Sequence, residues 1–185
     1  MIAIASALVA GAALASPAPK ASVIRLQDLP AGFQTVAAHT YTLAAAAKRN
    51  QQSVAQLRSW GFVTAYEADY VRNVALTKSL KGPIEVQSAV SAYKAAKGAK
   101  LSLARSASAC KRAPSTELRT SAAIGDEVHV CKNLTRANSG VILQAYAVVW
   151  RRGSRRGSLF VVGVEGGVNV GQAIGLAKTQ DSRMR

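Results

Sequence analysis

Acids, histidines, aromatics and cysteines are all scarce in this chain, and each scarcity narrows what it can do. Only 9 Asp and Glu stand against 24 Lys and Arg, so the formal net charge is +15. Two histidines leave little choice of general base, and no Gly-x-Ser-x-Gly elbow presents a nucleophile. Aromatics make up 5% of residues, too few for the stacking platforms that hold single-stranded nucleic acid. No apolar run reaches the roughly 20 residues with which a helix crosses a bilayer. Nucleotide motifs fail as well. Gly166 and Gly171 have the spacing of a phosphate-binding loop, but Gln172-Ala173 stand where lysine and a hydroxyl are required. The dinucleotide fingerprint Gly-x-Gly-x-x-Gly is absent from the same junction, so these glycines serve a tight turn and close helix packing. No cofactor is implied.

What the chain does have is a long apolar hairpin, Gly140 to Glu165. Val141 to Trp150 is interrupted only by Gln144, and turn chemistry flanks it on both sides. Leu159 to Val164 follows after Gly153-Ser154-Arg155-Arg156-Gly157, which predicts two antiparallel strands around a basic turn. Near-uniform hydrophobicity predicts central strands covered on both faces.

The compartment is read from the N-terminus and the cysteines. Ile2 to Ala15 is apolar and uncharged, and Ala13-Leu14-Ala15 matches a small-x-small cleavage site. This predicts a signal peptide over residues 1–15, cut after Ala15, and a secreted or extracytoplasmic protein. The basic residue usual near Met1 is missing, and no cysteine follows the run, which excludes a lipoprotein anchor. In an exported chain Cys110 and Cys131 are expected to pair. Residues 16–25 read as a flexible lead-in and 26–185 as a single domain.

Along that domain the hydrophobic period alternates between two and 3.6. Phe33 to His39 reads as a strand, and Leu43 to Ser59 as a helix closed by Gly61. Phe62 to Val74 alternates strictly, as does Ile84 to Ala92. Tyr93 to Arg112 turns helical, with Ala96, Ala99, Leu103, Ala107 and Cys110 on one face. Glu117–Ala123 and Val128–Leu134 read as strands before the hairpin, and a closing helix runs from about Val168 to Met184. The expected fold is α+β: a single antiparallel sheet of about six to seven strands with two to three helices packed against it.

Three groups of residues carry candidate chemistry. Glu67 and Asp69 share a strand face, the pairing that glycoside hydrolysis uses, though no sugar-stacking cluster accompanies them. Glu127 and His129 share another face, which offers a metal oxygen and nitrogen but no visible third ligand, so no metal site is assigned. Either pair would be the centre of a secreted hydrolase. The stronger signal is the basic excess. Lys94, Lys97, Lys100 and Arg105 lie along one helix, and Arg151, Arg152, Arg155 and Arg156 crowd the hairpin turn. Such clusters attract an anionic polymer or a membrane surface. The expectation is a non-catalytic exported domain that binds an anionic partner or another protein in the envelope or medium.

Asp28-Leu29-Pro30-Ala31-Gly32-Phe33, Trp60-Gly61, Ile124-Gly125-Asp126-Glu127, Trp150-Arg151-Arg152-Gly153, Gln180 and Arg183 form a recurring pattern. It resembles an uncharacterised family of small exported bacterial proteins, and the resemblance implies no catalytic residues. The element order is also similar to PsbP-like sheet-and-helix domains, an analogy of fold alone.

Overall fold

The computed structural model describes residues 18–185, and the expected signal peptide lies outside the described residues. Seven strands are present: β1 Phe33–Tyr41, β2 Phe62–Arg72, β3 Pro83–Tyr93, β4 Thr116–Leu118, β5 Glu127–Arg136, β6 Ile142–Arg152 and β7 Arg155–Val164. They form one antiparallel sheet in the order β1-β2-β3-β7-β6-β5-β4. The described helices are α1 Pro19–Ser22, α2 Leu43–Arg49, α3 Val54–Ser59, α4 Ala96–Cys110 and α5 Val170–Ser182, with a 3-10 turn at Leu26–Asp28.

The fold class agrees with the sequence, while the helices outnumber the two to three expected. One reason is local. The helix read over Leu43–Ser59 breaks in two because Gln51 adopts a φ of 50° and Ser53 caps a new start, its Oγ accepting from Gln56 N at 3.0 Å. Ser and Asn compete with the helix for backbone bonds, which a periodicity count does not see. The second reason is α1, formed by the segment expected to be flexible. Val23 and Ile24 behind it are buried, Ile24 completely. Ile24 N donates to Ser88 Oγ at 2.9 Å, and Tyr70 Oη donates back to Ile24 O. Ser22, Val23 and Ile24, within the segment expected to be a flexible lead-in, are packed into the core.

Strand parity assigns the two long helices to opposite faces. Val128 pairs across from Trp150 and Val130 from Val148, so these side chains share a face. α5 covers it, with Ala173 and Ala177 in the same cluster as Val148, Trp150, Leu159 and Val161. Cys131 points the other way, and its disulfide to Cys110 ties the end of α4 to that second face. α2 and α3 pack on the second face beside it, around Leu57, Phe62, Ala65 and Tyr93. β6 is thus buried from both sides, as its near-continuous hydrophobicity predicts.

Polar ties close the α5 side. Ser88 Oγ donates to Gln180 Oε1 at 2.7 Å, and Gln180 Nε2 donates to Ala89 O at 2.9 Å. Arg183 donates from Nη1 and Nη2 to the two Asp28 oxygens at 2.6 and 2.7 Å. This fork holds the Asp28 carboxyl below its ordinary pKa, helped by the Arg25 backbone N–H against the cost of burial. A carboxyl with a depressed folded-state pKa stabilises the fold above its unfolded pKa and loses that contribution as pH falls. Asp28→Asn is accordingly expected to cost about 1–2 kcal/mol at neutral pH. In urea titrations the gap between the two proteins should shrink below about pH 4. A gap that stays constant down to about pH 3 would remove the ion pair as its cause.

Candidate anion-binding surface

The four hairpin arginines do not form one exposed cluster. The turn is only Gly153-Ser154, with glycine first as a type II′ turn requires, so the arginines belong to β6 and β7 themselves. Arg152 and Arg155 pair on the α5 face, and Arg151 and Arg156 pair on the α4 face. Each is engaged within the domain. Arg151 Nη1 donates to Asp126 Oδ2 at 2.6 Å, and the same oxygen accepts from Gly153 N at 2.8 Å. Arg152 grips Asp181 through Nε and Nη2, and Trp150 Nε1 donates to that carboxylate at 3.1 Å. Burial alone would raise the Asp181 carboxyl, but donation from Arg152, Gly125 and Trp150 outweighs it and holds the group low. Arg156 Nη1 donates to Ser106 Oγ of α4 at 2.8 Å. Arg155, 5% exposed, has Ser22 Oγ at 3.5 Å as its one side-chain hydrogen-bond partner among the described residues, and burial pulls its guanidinium down.

The helix cluster is different. Lys94, Lys97, Lys100 and Arg105 are all exposed, and no ion pair among the described residues includes them. Arg105 touches only a backbone oxygen, Gln51 O, at 3.3 Å. At the other end of α4, Lys111 is matched by Glu117 at 3.6 Å. Three of the unmatched cations, Lys94, Lys97 and Lys100, lie at or before the first turns of α4, and Arg105 stands in its second half. That helix start has no side-chain cap and no acid in its first turn.

The start of α4 is positioned by glycine. A Cβ at Gly98 would lie 1.8 Å from Trp60 O, so only glycine lets the helix begin against the end of α3. Lys94 N donates to Gly61 O at 2.8 Å and Tyr93 N to Ser154 O at 2.9 Å, which places the hairpin turn at the same end of the sheet. The contact leaves a shallow hollow of about 210 Å³ bordered by Trp60, Lys94, Lys97 and Leu101. Arg58 stands exposed in the last turn of α3 beside it. Trp60, Gly98 and Arg58 were not singled out as site residues from the sequence. The signal available was Trp60-Gly61 at a helix end, which reads equally well as a cap.

Of the carboxylate candidates, Glu67 and Glu127 are engaged by neighbours, while Asp69 has a buried Oδ1 without a hydrogen-bond partner. Glu67 Oε1 accepts from Tyr41 Oη at 3.0 Å and from Arg49 at 3.3 Å, so it is not paired with Asp69. His129 sits between two glutamates, Nδ1 at 2.7 Å from Glu117 and Nε2 at 3.4 Å from Glu127. Glu117 supplies the third group that was not visible in the sequence, yet it bonds the opposite ring nitrogen from Glu127. The described residues hold no group of three His, Cys, Asp or Glu arranged for a metal.

The fold has a solved counterpart. The crystal structure of the extracellular domain of PknH from Mycobacterium tuberculosis superposes with a TM-score of 0.62, over 90% of this chain and 94% of that one. At 10% sequence identity the likeness is one of fold alone. No family model and no curated protein sequence matches the chain.

Proposed function

We propose that this chain is an exported domain that binds an anionic partner through the surface formed by α3, the β3–α4 junction and the first turns of α4. Export is supported by the apolar leader, the Cys110–Cys131 disulfide and the likeness to a domain that is itself extracellular. The observation that carries the binding reading is the unmatched charge of Lys94, Lys97, Lys100 and Arg105 beside the arginines of the hairpin, each of which has an internal contact. Lysines at the positive end of a helix dipole work against it, by a few tenths of a kcal/mol each. A bound anion removes that cost and satisfies the uncapped N–H groups. A surface kept at a local disadvantage is where function is expected to override folding rules.

Heparin chromatography tests this. The protein is expected to elute well above physiological salt, and Lys94→Glu/Lys97→Glu/Lys100→Glu to elute much earlier. A control of equal net charge, Lys78→Glu/Arg136→Glu/Lys178→Glu, alters exposed cations elsewhere and should shift little. Elution of the unaltered protein near physiological salt, or equal shifts for both triples, would sink the reading.

A further inference from the structure

We infer that the partner of this surface is an anionic lipid bilayer, onto which the domain docks with Trp60, Val63 and Leu101 entering the headgroup region. The inference rests on the anion-binding reading for its cations and adds what a soluble polyanion does not require. Leu101, 40% exposed, borders the hollow with Lys94 and Lys97, and Val63, 54% exposed, lies in β2 two residues after Gly61, whose backbone oxygen accepts from Lys94 N. Trp60 is half-buried at the rim of the hollow that Leu101, Lys94 and Lys97 complete. Scattered exposed aliphatics are ordinary on a soluble domain. Here Leu101 shares with a tryptophan and two lysines a hollow that no acid lines, the combination that an interface of lipid tails, headgroups and phosphates favours. The lysines reach phosphates electrostatically, and the indole lies at headgroup depth with its N–H toward water.

Val63 is presented by chain geometry as much as by composition. It follows Gly61, which adopts a φ of 70°, and it falls within the register shift between Phe62 and Thr64, where β2 leaves regular pairing with β3. α4 then holds Leu101 one turn beyond Lys97. The three apolar side chains are thereby held by backbone that is anchored in the sheet.

Tryptophan fluorescence reads this docking directly, because the chain has 2 tryptophans and the other, Trp150, is fully buried. Vesicles of phosphatidylglycerol and phosphatidylcholine in equal parts are expected to shift Trp60 emission to the blue, and pure phosphatidylcholine vesicles to leave it unchanged. Trp60→Phe should abolish the shift. Val63→Ser/Leu101→Ser, which leaves the charge unchanged, should weaken vesicle binding by about tenfold or more while leaving heparin elution where it was. If the protein is retained on heparin yet shows no blue shift, or if the serine pair binds vesicles as well as the unaltered protein, the bilayer inference is overturned and the anion-binding reading stands. Loss of heparin retention overturns both. Sedimentation with vesicles without a change at Trp60 also counts against it, since attachment would then run through another part of the chain.

Discussion

Trp150→Ala is expected to lower the unfolding free energy by about 3–5 kcal/mol, the range for emptying a large core position. The side chain is completely buried on the α5 face of β6, midway between that helix and the sheet. Two glycines shape its seat. A Cβ at Gly157, directly across on β7, would lie 2.4 Å from the ring, and one at Gly125 would lie 2.9 Å from it. The cavity left by alanine has glycine on two sides and cannot be filled by neighbouring side chains. Trp150→Phe separates packing from hydrogen bonding. It keeps most of the volume and removes the Nε1 donor to Asp181, which Arg152 still grips. Its cost is expected at about 1–2 kcal/mol. Gly157→Ala should destabilise by about 1–3 kcal/mol through overpacking alone. Urea denaturation followed by circular dichroism measures all three. A Trp150→Ala loss below about 1 kcal/mol would mean that the site collapses freely, against the rigid seat described here.

That seat explains how far the sequence could be read. The hairpin, the strand alternation and the disulfide were legible, because each rests on a local pattern: period two, a glycine turn, paired cysteines in an export context. The division of the hairpin arginines between two faces also follows from parity, since Arg151 and Arg152 are adjacent in a strand. It was obscured because the run Arg-Arg-Gly-Ser-Arg-Arg looks like a loop until the turn is known to be only Gly153-Ser154. What each arginine meets could not be read, because Asp126, Asp181, Ser22 and Ser106 come from four distant segments. The same holds for the residues that resemble a family pattern. Asp28 meets Arg183, Gly125 and Trp150 touch, and Asp126 closes the hairpin turn. Those short motifs are joints between elements. The burial of Ser22 to Ile24 is not legible in the sequence for a related reason. Val23 and Ile24 are too few to show a period, and the strand residues that bond Ile24 lie 46 and 64 residues away, at Tyr70 and Ser88.

Removing the Cys110–Cys131 bond by a double alanine substitution is expected to cost about 3 kcal/mol, from the loop entropy returned to the unfolded chain. The two cysteines are 21 residues apart in sequence. Loop entropy is only part of the cost, because the other ties of α4's second half are a small apolar face and the bonds of Arg156 to Ser106 and of Arg105 to Gln51 O. The helix's inward side chains Ala99, Leu103 and Ala107 include two alanines, which bury little apolar area. At its start the helix is held by the Gly98 contact with Trp60 and by the Lys94 bond to Gly61. At its end the disulfide is the covalent tie, with Lys111 to Glu117 an exposed pair of small worth. Without the bond, hydrogen exchange should quicken in the last turns of α4 while its first turns keep their protection. The lysine surface lies on those first turns, so heparin retention should fall far less than stability does. If retention and stability fell together, the two ends of α4 would be one cooperative unit, and the glycine contact at Trp60 would not be an independent anchor.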